Sequence, residues 1–513
     1  MKLYSLLKNI KCRIFGTTIL NISGLYHKDT EVKENGLFFC LRGTRVDGTE
    51  FVKSAVKNGA VAVVTEQEIQ GLSFVTQIVV KNARETMSLI ACRFYGSPAE
   101  KLKLIGVTGT NGKTTVSTLI FSSLKSFGKN CAVIGTNGII IQNQIFESGM
   151  TTPDPIILQK YLSLMVRKKV EYVVMEVSAH ALDLCKIDGI VFEQVIFTNL
   201  TEDHLDYFKT MEKYFSAKQK LFSKKYAKLA IINIDDEYGK RLAGSINLPY
   251  FTYAINEKNA NLVLTDSEQT KQGQKFCACF KTFDILKSEK VNSNFCLNNP
   301  ETSNLNDIVL NDFESQNFEI KLFGKFNLYN YLAVILSLKN LGYSLSEIAG
   351  VSKFIQPVDG RFNTYFVGEK MVVIDYAHTP DGLLNILNSC REIAKSKKLI
   401  AVFGCGGNRE TGKRKIMGEI SSKIADFSII TTDNPRFEKK EEIAREIESG
   451  FLNKNYEIVL DRAKAIERAL VLADDGDVIC IAGKGAENYI EENGIKIPYS
   501  DRAIIEKLIL NGK

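Results

Sequence analysis

"GVTGTNGKTTVSTLI", residues 106–120, decides how the rest of the chain is read. It follows the apolar run "KLKLI" and sets Gly106, Gly109 and Gly112 ahead of Lys113 and Thr114. The usual phosphate-loop spacing places a glycine six residues before the lysine, and here that position is Val107. The chemistry is nonetheless that of an anion site. Backbone amides of a glycine-rich turn at a helix N-terminus attract phosphate, Lys113 adds a point charge, and the Thr114 hydroxyl suits Mg²⁺. Gly109, Thr110, Asn111, Gly112, Lys113, Thr114 and Thr115 are therefore assigned to nucleotide binding, ATP in the first instance.

Outward from this loop the chain alternates apolar runs of strand length with helical patterns. "CAVIG" (131–135), "YVVMEVS" (172–178), "QVIFTN" (194–199) and "LAIIN" (229–233) predict strands, with helices over 155–168 and 210–222. Such alternation predicts a mainly parallel, doubly wound α/β sheet. A second alternation follows "FGKFNLYNYLAVILSLKNLGY": "MVVIDYA", "KLIAVFG", "DFSIITTD", "YEIVLD" and "DVICIAG", each ending in a polar or glycine-rich stretch. At 513 residues the length predicts about three domains. They are drawn as a small α/β domain at 1–102, a central ATP-binding domain at 103–338 and a Rossmann-like domain at 339–513. Residues 284–317, rich in Asn, Ser and acidic groups without periodicity, read as a mobile insertion.

Composition narrows the class. Apolar residues make 45% and charged residues 24%, an ordinary globular balance, and no run approaches the roughly 18 apolar residues of a membrane span. The start, "MKLYSLLKNIKCRIF", is broken by Lys8, Lys11 and Arg13 where a signal peptide needs an apolar core. A cytoplasmic protein is expected, with reduced thiols, since the 11 cysteines are scattered and form no CxxC pair. A net charge of +7, spread without a basic block, argues against nucleic acid as partner. Only His27, His180, His204 and His378 are present to supply imidazole chemistry. In open α/β sheets ligands bind at the carboxyl ends of strands, which puts Glu176 of "MEVSAH" and His204 of "TEDHLDY" on the same edge as the loop, both within reach of a metal.

Ten motifs then occur in one order: "GTNGKTT", "TTPD" (151–154), "EVSAH", "TNLTEDHLDYF", "AKQKLF", "GKFNLYN", "GRFN", "DYAHTPD", "DNPR" and "GKGAE". The set resembles the Mur ligases over nearly the whole chain, and within them the enzymes that add the third residue of the peptidoglycan stem peptide. That family's loop is GxxGxxGKTT, which accommodates Val107. The resemblance implies a three-domain fold with a P-loop ATPase-like centre. It implies a reaction in which ATP activates a carboxylate of UDP-N-acetylmuramoyl-L-alanyl-D-glutamate as an acyl phosphate, which the amine of a diamino acid then attacks.

The resemblance also implies roles. Lys113 matches the γ-phosphate lysine, and Thr114, Glu176 and His204 match the magnesium site. Lys218 of "SAKQKLF", by itself a solvated helix lysine, matches a lysine carried as a CO₂-derived carbamate. Asn327 and Asn330 resemble the adenine-contacting segment, and Arg361 and Asp375 the phosphate- and ribose-side contacts. Thr30, Gly43, Thr44 and Arg45 match uridine-side positions; Thr151, Thr152 and Ser178 match muramoyl-peptide contacts. Lys186 stands where the family usually has Arg and lacks the bidentate geometry. Arg409, Asp433, Asn434, Pro435, Arg436, Gly483 and Glu487 form the expected amino-acid pocket. "DNPR" marks family members that add meso-diaminopimelate: Arg436 would grip its distal carboxylate and Glu487 its distal ammonium, whereas L-lysine or L-ornithine would leave Arg436 poorly paired. Because Asn408 and Ala486 depart from the family pattern, L-lysine and L-ornithine stay open. A folylpolyglutamate synthetase, the ligase adding the terminal dipeptide, a P-loop ATPase or kinase without ligase activity, and a nucleotide switch are the competing readings. A monomer is expected.

Overall fold

The computed structural model describes residues 1–43, 46–72, 74–270, 272–285 and 308–510. Residues Thr44 and Arg45, assigned above to the uridine side, lie outside the described residues, as do residues 286–307 of the expected insertion. The other part of that insertion departs from expectation: Ile308–Ile320 is a strand paired antiparallel with Gly273–Ile285.

The first domain is a five-stranded sheet among the described residues. Gly24–Tyr26, Gly36–Phe39, Ala60–Thr65 and Thr76–Val80 run parallel, and Cys12–Phe15 closes one edge antiparallel. The helix Ala83–Phe94 begins where the Asn82 side chain accepts from the backbone N–H groups of Arg84 and Glu85, which satisfies two donors left free at a helix start.

The strand Lys103–Thr108 lies at the centre of the second sheet, between Gln194–Phe197 and Tyr172–Glu176, and all three are parallel. Every residue from Leu104 to Thr108 is buried, which is why the run is continuously apolar rather than alternating. Cys131–Gly135 extends the parallel core on one side, and Ala230–Asn233 and Tyr250–Ala254 extend it on the other. The strands predicted from the apolar runs are therefore present in parallel order, with helices Lys113–Ser126 and Pro155–Arg167 between them.

The expected boundary at 338/339 falls inside the helix Lys325–Asn340. That helix is buried almost all round, and Leu345, Ile348, Ile355 and Val358 beyond it join the same apolar cluster as the central sheet. The central body thus runs on to Val358. The last sheet starts at Asn363–Val367, which pairs antiparallel with Lys370–Asp375; the remaining strands, Val478–Ala482, Leu399–Phe403, Phe427–Ile430 and Tyr456–Ile458, follow in parallel. A small hairpin, Tyr489–Glu492 with Ile495–Pro498, hangs beside this sheet. Among the described residues no helix is long and apolar enough to cross a membrane, and the ten described cysteines are all free.

Candidate active site

The glycine loop takes its shape from two positive φ angles, +151° at Gly109 and +84° at Gly112. A Cβ would collide with the Thr198 hydroxyl at the first and with the Asn330 amide oxygen at the second, so both positions demand glycine. Around the turn, Asn199 accepts from the Asn111 N–H at 2.9 Å, and the Thr198 hydroxyl donates to the Asn111 carbonyl at 2.6 Å. Lys113 opens the helix and its Nζ donates to the carbonyls of Gly109 and Thr110 at 2.9 and 2.8 Å. Desolvation lowers its pKa, and the charges of Glu176 and Asp203 oppose that shift.

Glu176, at the end of its strand, is buried and accepts from the Thr114 hydroxyl at 3.0 Å, the Thr136 N–H at 2.9 Å and the Thr136 hydroxyl at 3.2 Å. Thr114 and Glu176 are thus brought together as the sequence led one to expect. Gly135 was not anticipated: a Cβ there would strike the Glu176 carboxylate. Gly135→Ala is expected to displace that carboxylate and lower turnover by about 10²-fold, with little change in the thermal midpoint. Unchanged turnover would show that the carboxylate's position is immaterial.

His204 adopts a left-handed φ of +56°, with Nε2 3.4 Å from Asp203 and its ring edge-on to His180 at 4.8 Å. Desolvation lowers its pKa against the pull of Asp203, which favours the neutral imidazole that a metal requires. Lys218 is the sharpest departure from a sequence-only reading. It is 1% exposed, its Nζ donates to the Gly109 carbonyl at 2.8 Å and lies 4.6 Å from the Tyr214 ring centre. Burial, reinforced by Lys113, holds its pKa well below that of an ordinary lysine. Among the described residues no three His, Cys, Asp or Glu side chains form a metal cage. The residues at hand for Mg²⁺ are the touching Thr114 hydroxyl and Glu176 carboxylate, with the imidazole of His204.

A cavity of about 410 Å³ opens between the central sheet and the last domain. Asn111, Gly112, Thr115 and Asn330 line one side, and Arg361, Asp375 and His378 line the other. Arg361 Nη2 reaches the Thr114 hydroxyl at 3.4 Å and its guanidinium lies over the Tyr376 ring. Asp375 accepts from the N–H groups of Phe362 and Ala377 at 2.8 and 2.7 Å, pinning the Arg361 turn; its burial raises its pKa. Asn327 does not line the cavity. It is 2% exposed, donates to the Phe323 carbonyl and accepts from Asn330 at 3.0 Å, so it positions Asn330 from behind. Asp381, which was not anticipated, crosses between domains to accept from Asn111 Nδ2 at 2.6 Å and the Thr201 hydroxyl at 3.1 Å. Its signal was present, since it closes the "DYAHTPD" motif.

On the other side of Glu176, the Thr152 hydroxyl donates to the Glu176 carbonyl at 2.9 Å and accepts from the Ser178 N–H at 3.0 Å. Thr151 meets the Thr136 hydroxyl at 3.1 Å. These three are therefore contiguous with the Thr114–Glu176 pair. Lys186 is buried with its Nζ 2.8 Å from Asp154, and His27 of the first domain approaches the same carboxylate at 3.8 Å. Thr30, in the short 3-10 helix Asp29–Glu31, and Gly43 are exposed in the first domain.

The amino-acid pocket is the most altered part of the reading. Lys484, fully buried and unanticipated, donates to Asn434 Oδ1 at 3.1 Å and to Glu487 Oε2 at 3.0 Å, with Asp433 at 3.5 Å. Asn434 Nδ2 also donates to Glu487 Oε2, at 2.8 Å. Gly483 packs against Asp433, Pro435 is buried between Asn434 and Arg436, and Arg409 is exposed on the loop after Phe403. Arg436 has a φ of +52°, donates from Nη1 to the Gly407 carbonyl at 2.8 Å and lies 3.3 Å from Glu491 through Nε. The expectation that a substrate without a distal carboxylate would leave Arg436 poorly paired is therefore corrected: the protein supplies a carboxylate of its own.

Against this geometry, residues 107–338 match the Mur ligase middle domain, 360–485 the Mur ligase, glutamate ligase domain, and 21–95 the Mur ligase family, catalytic domain. The chain is 39% identical over 513 residues to UDP-N-acetylmuramoyl-L-alanyl-D-glutamate–2,6-diaminopimelate ligase 1 of Clostridium acetobutylicum, covering 99% of each. The chain belongs to the Mur ligase family. It is also 40% identical to the ligase of Alkaliphilus oremlandii named for the same two substrates, over 95% of this chain and 94% of that one. A solved structure of a UDP-N-acetylmuramoyl-L-alanyl-D-glutamate–2,6-diaminopimelate ligase aligns at a TM-score of 0.68 and 28% identity, covering 100% of this chain and 99% of that one. The Thermotoga maritima MurF ligase in complex with ADP shares the fold at a TM-score of 0.56 and 17% identity, over 95% of this chain and 96% of that one. As a Mur ligase, the chain is an ATP-dependent amide-forming enzyme, and the three-domain fold expected from the motifs is the one observed.

Proposed function

We propose that this Mur ligase joins meso-diaminopimelate, in preference to L-lysine or L-ornithine, to UDP-N-acetylmuramoyl-L-alanyl-D-glutamate, a step of peptidoglycan synthesis in the cytoplasm. The observation that carries the reading is the meeting, around one cavity, of the glycine loop with Arg361, Asp375 and Asp381 of the last domain. The full-length relatives named for 2,6-diaminopimelate support the choice of amino acid.

In this reading the cavity holds ATP with its phosphates on the loop amides and Lys113. A D-glutamyl carboxylate oxygen attacks the γ-phosphorus, the bond to the β-phosphate oxygen breaks, and ADP leaves an acyl phosphate. The amine of the diamino acid then attacks the acyl carbon, expels phosphate and gives up its proton. Lys113 and Arg361 stabilise the negative charge in transit, and closure between domains excludes water that would hydrolyse the acyl phosphate. Mg²⁺, held by Thr114 and Glu176 with His204, would neutralise phosphate charge. Lys218 fits a carbamate because burial favours its neutral amine, the form that adds CO₂, and the adduct is an anion. Thr151, Thr152 and Ser178 would meet the muramoyl peptide, Thr30 and Gly43 its uridine end, and Asp433, Asn434 and Glu487 the distal ammonium.

The test is ligation from UDP-N-acetylmuramoyl-dipeptide, ATP and Mg²⁺ with the three amino acids in competition, products read by mass spectrometry. Diaminopimelate should dominate, and Arg436→Ala should lower its kcat/KM about 10- to 100-fold. ADP formation independent of any amino acid would support an ATPase instead. Preference for lysine or ornithine, unchanged in Arg436→Ala, would overturn the choice of substrate.

A further inference from the structure

Arg436 and Glu491 are 55 positions apart, yet backbone pairing leaves them side by side. The Arg436 N–H donates to the Glu491 carbonyl at 2.9 Å, and the Asn493 N–H donates to the Arg436 carbonyl at 2.6 Å. The Glu491 N–H donates in turn to Asn434 Oδ1 at 2.9 Å. The hairpin is thus stitched onto the 434–436 turn, and its register, rather than a flexible approach, brings Glu491 Oε2 to 3.3 Å from Arg436 Nε. Both side chains are mostly covered, at 21% and 26% exposure, so water screens the pair less than it would a surface pair.

We infer that Glu491 is a specificity-determining residue of the amino-acid pocket, one that lowers discrimination against substrates lacking a distal carboxylate. The inference rests on the reading that Arg436 faces the distal end of the diamino acid. Two effects act in the same direction. When a substrate's distal carboxylate docks on the guanidinium, Glu491 repels it and competes for the same donors. When lysine or ornithine docks, Glu491 keeps Arg436 paired, so the cost of an uncompensated guanidinium beside an ammonium does not arise. The inner ring supports this balance: Lys484 already offsets one of the two carboxylates Asp433 and Glu487, and Glu491 offsets Arg436.

Glu491→Gln keeps the size of the side chain and removes its charge. In the full-length enzyme, the ratio of kcat/KM for meso-diaminopimelate to that for L-lysine is expected to rise about tenfold, with KM for ATP unchanged. In an Arg436→Ala background the same substitution should leave the ratio where it was, because the effect acts through the guanidinium. A ratio within twofold of wild type, or a fall in diaminopimelate kcat/KM alone, would overturn the inference and assign Glu491 to holding the turn. If the wild type ligates none of the three amino acids, the proposed reaction itself fails, an outcome distinct from a wild type that ligates diaminopimelate while the variant ratio stays still.

Discussion

Lys113→Ala is expected to lower ligation turnover by about 10³-fold while the protein stays folded. The ammonium sits at the first turn of the helix Lys113–Ser126 and is held over the loop by the carbonyls of Gly109 and Thr110. Desolvation works against its charge and the carboxylates of Glu176 and Asp203 work for it, so a bound polyanion adds to a support that is already partly in place. A γ-phosphoryl group in flight spreads negative charge over its outer oxygens, and an enclosed cation stabilises that charge far more than water would. Alanine removes the charge and two hydrogen bonds to the carbonyls of Gly109 and Thr110, a local change in a loop still held by the buried strand Lys103–Thr108 and the Asn199 contacts. Single-turnover phosphate release, with circular dichroism to confirm the fold, makes the measurement. Near-normal turnover in a folded variant would remove the phosphate-loop assignment altogether.

What the sequence disclosed and what it hid divide along physical lines. Parallel strands buried on both faces are continuous apolar runs, so "KLIGVT", "YVVME" and "VICIA" were legible, and with them the edge on which Glu176 and His204 stand. The packing around 338 was not legible, because the helix Lys325–Asn340 is apolar on nearly every face and binds the following segment into the central core; composition does not mark that continuity. Ile308–Ile320 was missed because "NDFESQN" (311–317) is polar apart from Phe313 and lacks the strict alternation that marks a half-buried strand. Asn327 and Asn330 share a motif but not a role, since three residues' separation on a helix puts one behind the other. Arg436 was legible in "DNPR", but Glu491 is 55 positions away and carries no motif. The same holds for Gly135, whose importance lies in what its missing side chain makes room for.

Lys218 is where resemblance and structure meet with most force, and its replacement carries the second large effect. Lys218→Ala is expected to lose about 10³-fold or more in turnover, and added small carboxylates should restore part of it. A lysine of "SAKQKLF" would ordinarily snorkel to solvent. Here it is enclosed under the glycine loop, with a carbonyl and an aromatic face as neighbours and Lys113 adding repulsion. Enclosure and Lys113 disfavour an ammonium, the Gly109 carbonyl, the Tyr214 ring face and the pull of Asp203 favour it, and the net shift is downward. A neutral amine is the form that attacks CO₂: its lone pair forms the new N–C bond, a proton leaves, and the product is an anion where a neutral amine stood. An anion there relieves the repulsion with Lys113 and adds a carboxylate to a site whose assembled metal donors are otherwise a hydroxyl, one carboxylate and an imidazole. Rescue by acetate or a homologous carboxylate would show that the missing group is an anion rather than an amine. Lys218→Arg separates the alternatives most cleanly, since a guanidinium fills similar space, keeps a positive charge and cannot add CO₂ at neutral pH. It should be as inactive as the alanine variant and gain nothing from added carboxylate. Substantial activity in Lys218→Arg would mean that this side chain acts as a cation, and the carbamate would have to be abandoned.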